Sequence, residues 1–385
     1  MRSKALTHLS LHKRVADTLR AEIAQNYKPG QRIEPIRQLA KRFGVSELTL
    51  RIALTNLAQE GLLTLRQGSG CYVTDSATTK PVGILTDIDL FHPHTSFFHR
   101  RLIQQIRQWC VEFGYRERLY IGHIPPGQIE PSSISPEFLL DSEEGRLRAV
   151  AALLIAGPPP VHQMEAHGVP VVGIDFFSNT RSIYKYRVAL DTERLIPEAI
   201  KVAKESGRNR IALINWHLPS NNSDFTTETF HRSMAEAGLT VRPAWVQSDT
   251  HLGPSSAGWN RFRSIWNASS TEKPDALIVC DDLLFPDVHA AILDSGIRVP
   301  DQLLVITHAN KGTGFFHSFP VVRLEYDPDE VAQAVGALLE ELLKGKPVSK
   351  PGAVIHFKII QSTASDPDPI LKPAAGLTVH PSLQE

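Results

Sequence analysis

The chain has 385 residues, 42% of them hydrophobic and 21% charged, which is enough for two or three domains with packed cores and excludes a mostly disordered protein. The formal net charge is zero, but residues 1–75 carry 12 Lys and Arg against six Asp and Glu, whereas the remainder carries 29 against 35. A basic head on an acidic body indicates contact with nucleic acid through the head alone.

The cysteine usage and the N-terminus indicate a cytoplasmic protein. Cys71, Cys110 and Cys280 are widely spaced, form no CxxC pair and are typical of reduced packing residues. Residues 1–11 lack the apolar core of a signal peptide, and no apolar run approaches the roughly 18 residues that span a bilayer. We therefore expect neither secretion nor a membrane partner.

The head begins with two predicted helices. The first runs from Leu11 to Asn26, because apolar residues recur there at every fourth position until Pro29-Gly30 stops the pattern. A second, short helix follows Pro35, since proline is tolerated at the first helical position. Its inner face is predicted to consist of Ile36, Leu39, Ala40 and Phe43.

A tight turn then leads into a third helix. Gly44 is free to adopt the positive φ that ends a helix, and Ser46 is a residue type that caps the next one. Helical spacing of the apolar residues predicts a buried stripe of Leu50, Ala53, Leu54, Leu57 and Ala58. The outward and flanking faces are left to Leu48, Thr49, Arg51, Ile52, Thr55 and Asn56.

Two strand-like runs complete the head. Residues 62–65 and 71–73 are joined by Arg66-Gln67-Gly68-Ser69-Gly70, so they predict a hairpin with a basic tip that contains glycine. Three helices followed by such a hairpin predict a winged helix-turn-helix DNA-binding domain over residues 1–75.

The head resembles the GntR family of bacterial transcription regulators over about residues 9–75. The resemblance is carried by Pro29-Gly30, Arg37-Gln-Leu39-Ala40, Phe43-Gly44-Val45-Ser46, Thr49-Leu-Arg51-Ile-Ala53-Leu54, Glu60-Gly61-Leu62 and Gly68-Ser-Gly70-Cys-Tyr-Val73. It implies DNA contacts by Arg37, Thr49, Arg51, Gly68 and Gly70. The chemistry agrees, because guanidinium groups bind phosphate or guanine and a glycine tip lets backbone N–H groups approach the double helix.

Two features depart from the pattern of that family. Glu47 stands where the family has a basic residue, and it is interpreted either as a helix-start carboxylate favoured by the helix dipole or as an acceptor for a cytosine amino group. Leu48 and Ile52 form an exposed apolar pair, which contacts either thymine methyl groups or another protein surface. Unchanged thymine preference after Leu48→Ser with Ile52→Ser, measured by operator selection, would contradict the thymine contact. The predicted DNA-binding set is Arg37, Ser46, Glu47, Leu48, Thr49, Arg51, Ile52, Gly68 and Gly70.

Beyond a short linker, residues 76–82, strands and helices alternate. Apolar runs that predict strands lie at residues 82–86, 118–121, 151–155, 169–174, 210–214, 276–279 and 303–306. Predicted helices lie at residues 97–113, 196–206, 227–237, 286–295 and 328–343. This is a doubly wound α/β pattern long enough for two lobes, and ligands of such folds bind outside the carboxyl ends of the strands.

The body, residues 83–363, resembles the effector domain of the LacI/GalR family, which has the periplasmic-binding-protein fold. The resemblance is carried by Val188-Ala-Leu-Asp191, Glu205-Ser-Gly207-Arg208-Asn-Arg210-Ile211-Ala212, Pro274-Asp275-Ala276-Leu-Ile-Val-Cys-Asp281, Gly296-Ile-Arg-Val299-Pro300-Asp301 and Leu343-Lys-Gly345-Lys346-Pro347. A GntR-type head on a LacI-type body is similar to the arabinose-operon repressors, and the resemblance implies a small-molecule effector, sugar-like in that family.

The effector site is predicted at the strand ends. Thr226 and Ala309 stand at the positions of an arginine and an aspartate that hold sugar hydroxyls in the family, whereas Asp281 matches a family aspartate. Aromatic faces for a ring and carboxylates for hydroxyls are offered by the predicted effector-binding residues Asp87, Phe97, Trp216, Asp281 and His308. Further candidates are Asp89, Phe98, Asp175, His217 and Asp282, of which Phe98 is equally typical of a core and Asp175 of a turn cap.

No metal, cofactor or catalytic residue is predicted. His92 and His94 flank a proline, which favours a solvated loop over a metal site. The GxxxxGK[ST], HExxH and GxSxG motifs are absent from the sequence. Residues 364–385 are rich in proline and lack apolar periodicity, so they are predicted to form a mobile tail.

The predicted fold class is α/β, with an N-terminal winged helix-turn-helix and a two-lobed periplasmic-binding-protein-like effector domain. We expect a ligand-responsive transcription regulator, a repressor by family type, that binds a pseudo-palindromic double-stranded DNA operator as a homodimer. One alternative is an α/β enzyme or small-molecule-binding protein with a DNA-binding appendage. Another is an architectural DNA-binding protein without an effector.

Overall fold

The structure is a computed structural model that describes residues 11–59, 61–66, 68–74, 80–87, 89–91, 95–122, 135–153, 168–176, 178, 182–216, 224–249, 257–268, 272–312, 316–345, 347–348 and 350–362. The predictions for His92, His94, His217, most of the linker and the tail concern residues outside these ranges. The domain boundaries at residues 75 and 363 also lie outside them and stay predictions.

The head consists of three helices and a two-stranded antiparallel hairpin, as predicted. Its elements are α1 (Leu11–Asn26), α2 (Ile36–Phe43), α3 (Glu47–Gln59), β1 (Leu63–Arg66) and β2 (Gly70–Val73). Gly44 ends α2 with a φ of 64°, and the backbone N–H of Thr49 donates to the Ser46 hydroxyl oxygen at 3.1 Å. The predicted turn and cap are therefore confirmed. The α3 side chains buried in the head core are Leu50, Ala53, Leu54 and Leu57.

The body continues the alternation of strands and helices. Its helices are α4 (Phe97–Glu112), α5 (Pro136–Glu143), α6 (Leu195–Glu205), α7 (Phe225–Glu236), α8 (Ala257–Asn267), α9 (Phe285–Asp294) and α10 (Pro328–Leu343). Its strands are β3 (Val82–Thr86), β4 (Glu117–Ile121), β5 (Ala149–Leu153), β6 (Val171–Asp175), β7 (Tyr186–Leu190), β8 (Ile211–Trp216), β9 (Val246–Asp249), β10 (Ala276–Val279), β11 (Leu304–Asn310), β12 (Val321–Tyr326), β13 (Gly352–Ile355) and β14 (Lys358–Ser362).

Each lobe is built on one six-stranded sheet. The N-lobe sheet has the order β13-β7-β6-β5-β3-β4, and all its neighbouring strands are parallel. The C-lobe sheet has the order β14-β12-β11-β10-β8-β9 and is parallel except for β14, which pairs antiparallel to β12. Apolar clusters lie on both faces of each sheet and include the helices, which is the doubly wound arrangement that the sequence predicted.

The chain passes between the lobes three times, after β7, after β12 and after β13. Each crossing contributes one side chain to a hydrogen-bonded cluster, namely Asp191, Tyr326 and His356. The Tyr326 hydroxyl donates to Asp191 Oδ1 at 2.9 Å, and His356 Nδ1 lies 2.7 Å from Asp191 Oδ2. This crossing cluster therefore joins all three connections through one buried carboxylate.

Two strand ends correct the sequence prediction. Strand β8 continues to Trp216 and β11 continues to Asn310, whereas the apolar runs end at residues 214 and 306. Trp216 and His308 therefore lie within strands rather than in the loops expected for them. Cross-strand pairing extends these strands, because Trp216 pairs with Asp249 and His308 pairs with Leu324.

Sequence reasoning also missed whole elements, namely α5, α8, β7, β9, β12, β13 and β14. Strand β12 shows the reason most clearly. Arg323 and Glu325 interrupt its apolar run, yet both side chains are buried and lie 3.3 Å apart as an ion pair. Charges at these positions are typical of an exposed segment, and only the neighbouring strands make this one a buried strand.

Among the described residues, no helix combines the length and apolar character needed to cross a membrane.

Candidate functional site

The outward face of α3 is the first candidate site. Leu48 is 69% exposed and Ile52 is 41% exposed, while Arg51 lies beside them and is exposed as well. The opposite face of the helix is held in the head core, so these side chains are available to a partner. This helix follows a tight turn, and its exposed face carries both a cation and apolar side chains. Such a helix has the geometry needed to enter a DNA major groove.

Side chains that were predicted to contact DNA also contact one another at the start of α3. The hydroxyl oxygens of Ser46 and Thr49 lie 2.8 Å apart, in addition to the backbone capping bond. Arg37 Nε, on α2, lies 3.4 Å from Glu47 Oε1. Glu47 therefore partners an arginine that the family resemblance assigns to DNA, an arrangement that the sequence did not indicate.

The hairpin carries further cations near its tip. Gly68 and Gly70 have φ values of 74° and 114°, which only glycine adopts readily, so the two glycines shape the turn. The Arg66 guanidinium lies 4.7 Å from the centre of the Tyr72 ring. Arg32 was missed from the sequence, although its guanidinium lies so close to Gly70 that a Cβ there would be 2.8 Å from Arg32 Nε. Little in the sequence indicated this position, because Arg32 lies before α2 and α3 and outside the residues that carry the family resemblance.

The second candidate site is a cavity of about 470 Å³ between the lobes. Its volume lies within the roughly 300–1,000 Å³ typical of small-molecule sites. Three predicted effector residues, Trp216, Asp281 and His308, line it. The further candidates Phe98, Asp175 and Asp282 also line it.

Two predicted effector residues lie elsewhere. Phe97 is 55% exposed at the start of α4, whereas its neighbour Phe98 is buried and faces the cavity. Consecutive helical residues point in directions about 100° apart, so only one of the two rings faces inward. Asp87 is buried at the end of β3, where its backbone carbonyl lies against Gly122, and it is not among the lining residues.

A hydrogen-bonded group of side chains forms the C-lobe wall. Trp216 Nε1 donates to Asp281 Oδ2 at 2.7 Å, and the backbone N–H of Leu283 donates to Asp281 Oδ1 at 2.7 Å. The Asn310 amide donates to Asp282 Oδ2 at 2.8 Å. Burial and the neighbouring Asp282 carboxylate raise the pKa of Asp281 to about 7.

Imidazole rings form part of both walls. Burial lowers the pKa of His99 to about 4. Burial also lowers the pKa of His308, and the nearby Asp282 charge, which raises it, offsets only part of this effect. Both ring nitrogens of His99 and Nδ1 of His308 are shielded from solvent without a hydrogen-bond partner in the described part of the chain. Buried polar atoms of this kind are normally paired with protein or water, and a molecule in the cavity is a further possible partner.

Several lining residues were missed by sequence reasoning, including His99, Phe176, Asn215, Phe225, Asn310 and Tyr326. Asn310 follows Ala309, the position where the family has an aspartate. Ala309 is fully buried, while its neighbours His308 and Asn310 line the cavity. The strand period of two residues, applied from His308, would have found Asn310.

The described residues contain no group of three or more His, Cys, Asp or Glu side chains that could hold a metal ion. Both candidate sites consist of groups suited to binding, with hydrogen-bond donors, acceptors and aromatic faces.

Comparisons with known families match both parts of the chain. Residues 11–73 match the model of bacterial regulatory proteins of the gntR family, and residues 200–361 match a periplasmic binding protein-like domain. The two matched segments correspond to the head and to most of the region from α6 to β14.

Curated relatives match part of the chain. The HTH-type transcriptional repressor PurR of Haemophilus influenzae (strain PittEE) is 27% identical over 145 residues, or 37% of this chain and 42% of that protein. PurR of Pasteurella multocida (strain Pm70) is 24% identical over 162 residues, or 42% of this chain and 47% of that protein. The chain thus spans less than half the length of the curated relatives it matches.

Solved structures share the fold at low sequence identity. A LacI-family regulatory protein from Chloroflexus aggregans is 14% identical with a TM-score of 0.60, covering 74% of this chain and 98% of that chain. The complex of the transcriptional regulator CelR with cellobiose is 16% identical with a TM-score of 0.57, covering 86% and 100%. A LacI-family regulator from Lactobacillus casei with bound glucose is 18% identical with a TM-score of 0.57, covering 74% and 100%. The chain therefore joins a head that matches the gntR-family model to a body that matches the periplasmic-binding-protein-like model and shares the fold of LacI-type regulators.

Proposed function

We propose that this protein is a ligand-responsive transcription regulator of the cytoplasm, acting as a repressor rather than as an enzyme. The observation that carries the proposal is the presence, in one chain, of an exposed recognition helix and a cavity between two lobes. The relatives named as transcriptional repressors support it. A small metabolite, a sugar or a derivative, is proposed to bind in the cavity.

The DNA contact is proposed to use a homodimer on a pseudo-palindromic operator. One recognition helix would occupy each half-site, with Arg51 facing bases or phosphate and the hairpin glycines against the backbone. Exposed apolar side chains on the N-lobe helices, including Val111 and Leu140, offer surface for pairing.

Regulation is proposed to follow from movement of the lobes. A ligand that binds both walls of the cavity favours one arrangement of the lobes, and the connections to the heads change with it. By linkage, the operator must change the affinity for the ligand by the same factor as the ligand changes the affinity for the operator.

Selection of bound duplexes from a random DNA pool with the full chain tests this proposal. We expect enrichment of an inverted repeat, and we expect Arg51→Ala to lose about 5- to 150-fold in affinity for it, since an arginine that reads a base contributes roughly 1–3 kcal/mol. Arg263→Ala is the matched control, because Arg263 is an exposed arginine on α8 in the body.

Failure to enrich any sequence, or equal loss of affinity in the two arginine variants, would contradict the proposal. The enzyme alternative would instead be favoured by turnover of a molecule bound in the cavity. Thermal unfolding of each variant checks that the substitution leaves the fold intact.

A further inference from the structure

The charges around the cavity are one-sided. Its described lining contains no Lys or Arg, but it contains five carboxylates, Asp175, Glu193, Asp224, Asp281 and Asp282. Among the residues between 82 and 345 that the structure does not describe, the sequence has a single Lys or Arg, Arg181. Anions are therefore poorly matched to this site.

The protein itself compensates only part of this negative charge. Arg187 Nη1 donates to Asp175 Oδ2 at 3.3 Å and is the cation that faces this carboxylate. Asp281 and Asp282, in contrast, accept from neutral donors, namely Trp216 Nε1, the Leu283 N–H and the Asn310 amide. Asp224 caps α7 and accepts from Thr227 and Asn215, and Glu193 accepts from the backbone N–H of Ser178.

The histidines of the cavity do not supply the missing positive charge. His99 and His308 are both neutral at pH 7, because burial lowers the pKa of each ring. The C-lobe wall therefore contains two carboxylates, Asp281 and Asp282, and the neutral imidazole of His308. The Asn310 amide lies beside Asp282.

The remaining lining is aromatic. Phe98 and Phe176 come from the N-lobe and have ring centres 6.3 Å apart, while the C-lobe contributes Trp216, Phe225 and Tyr326. The negatively polarised faces of aromatic rings attract cations, and the attraction is stronger where water is excluded. Carboxylates and aromatic faces around one space therefore favour the same kind of ligand.

We propose that the effector is an organic amine, a molecule whose protonated nitrogen binds at Asp281 and Asp282 while its body packs between the aromatic rings. This inference rests on the proposed function and specifies the ligand of the same cavity. Asp281 and Asp282 are half-buried, and a carboxylate partly removed from water is stabilised by a bound ammonium group, whereas a neutral polyol supplies hydrogen bonds only. A carboxylate or phosphate ligand would add to the repulsion.

Calorimetric titration of the full chain with matched ligand sets tests the proposal. One set is tyramine, 4-hydroxyphenethyl alcohol and 4-hydroxyphenylacetate, and the other is glucosamine, glucose and glucuronate. We expect an amine to bind at least about tenfold more tightly than its neutral counterpart, and the acids to bind most weakly. Equal or tighter binding of the neutral members, or no binding by either amine at about 10 mM, would overturn the proposal.

A charge-neutral variant locates the interaction. Asp282→Asn is expected to reduce the preference for the amine over the neutral member at least about fivefold, while Asp294→Asn, which removes an exposed carboxylate on α9, leaves the preference unchanged. An unchanged preference in Asp282→Asn would overturn the assignment of the ammonium to this wall.

The experiments distinguish failure of the amine inference from failure of the regulator proposal. Tight binding of glucose or of the phenethyl alcohol, together with selective operator binding, would overturn the amine inference and leave the regulator intact. Loss of selective operator binding would contradict the regulator and leave the ligand preference of the cavity as measured.

Discussion

At the scale of single residues, Glu47 is the position at which we expect the strength of DNA binding to be adjusted. It occupies the first position of α3, where a carboxylate is favoured by the helix dipole, and it also lies 3.4 Å from Arg37 Nε. Both side chains are well exposed, so solvent screens their attraction and the pair is easily broken. Glu47 therefore lies beside an arginine that is predicted to contact DNA, and their pairing adds little stability.

Replacing Glu47 with Gln is expected to strengthen DNA binding. The change removes an acid next to the phosphates and releases Arg37, so the slope of log affinity against log salt should become more negative by up to about one unit. Fluorescence anisotropy over a salt series measures this slope. Glu236→Gln, the same change at an exposed position of α7, is the control. A weaker affinity for one cytosine-containing operator only would support base readout by Glu47 instead.

The raised pKa of Asp281 predicts a pH effect on stability. An ordinary aspartate has a pKa near 4, whereas Asp281 in the fold has a pKa of about 7. Between these values the folded protein binds more protons than the unfolded chain, so its free energy of unfolding falls as pH rises from about 4 to about 7. The limiting slope for one proton is about 1.4 kcal/mol per pH unit.

Asp281→Asn should remove this contribution, because an amide does not ionise there. Urea unfolding between pH 5 and pH 8 is expected to show the variant gaining stability relative to the natural protein as pH rises, with the change ending above pH 7. The amide also leaves one of the two donors, Trp216 Nε1 or Leu283 N–H, without its acceptor, which adds a cost that is independent of pH. A constant difference across the range would contradict the assignment.

At the scale of elements, β6 depends on a glycine. A Cβ at Gly173 would lie 2.1 Å from the ring atoms of Tyr184, which packs directly on the strand. Tyr184 is itself buried, so its ring has little room to move away. The close approach brings the segment before β7 onto the N-lobe sheet.

Gly173→Ala is therefore expected to destabilise the protein by about 1–3 kcal/mol through overpacking. The matched control is Gly83→Ala on β3, also a buried strand glycine, where the nearest atoms to the new Cβ are methyl groups at 3.3 Å. Thermal unfolding should show a clear loss for Gly173→Ala and a smaller loss for Gly83→Ala. Similar losses in both variants would show that the Tyr184 contact is not the cause.

The bounds of the elements show which predictions local periodicity could support. The period of the apolar runs correctly predicted the sheet strands β3 and β10 and the helix α10 with the bounds observed. It could not show that β8 and β11 extend beyond those runs, because pairing with β9 and β12 supplies the additional hydrogen bonds. The same limit explains why β12, with its buried Arg323 and Glu325, was missed.

At the scale of the whole molecule, the crossing cluster links the three connections between the lobes. Asp191 is 1% exposed and accepts from Tyr326, while His356 lies beside its second oxygen. A rotation of one lobe against the other moves these connections, so the cluster is expected to differ in energy between open and closed arrangements. Tyr326 also lines the cavity, so we expect the cluster to respond to a molecule that binds there.

We therefore expect His356→Ala to change the factor by which a saturating effector alters operator affinity. A change of about 2- to 30-fold in that factor corresponds to the roughly 0.5–2 kcal/mol typical of residues on a coupling route. The measurement is operator affinity with and without effector, and His231→Ala, an exposed histidine on α7, is the control. The same factor in His356→Ala and the natural protein would show that the cluster does not transmit the change.

The sequence by itself determined the local units of this protein. The turn at Gly44, the cap at Ser46 and the buried stripe of α3 depend on residues within about ten positions of one another, so their spacing was sufficient to predict them. The doubly wound pattern of the body was predictable for the same reason, since each strand and helix has its own apolar period.

Only the tertiary structure decided the membership of the inter-lobe cavity. Asp87 and Phe97 were predicted to line the cavity because they lie in loops at strand ends. Asp87 is instead buried beside Gly122, and Phe97 is exposed. His99 and Asn310 line the same cavity without a sequence motif, although they lie more than 200 positions apart in the chain. The direction of a side chain depends on the rotation of its helix and the length of its strand, and both are set by packing between elements distant in the chain.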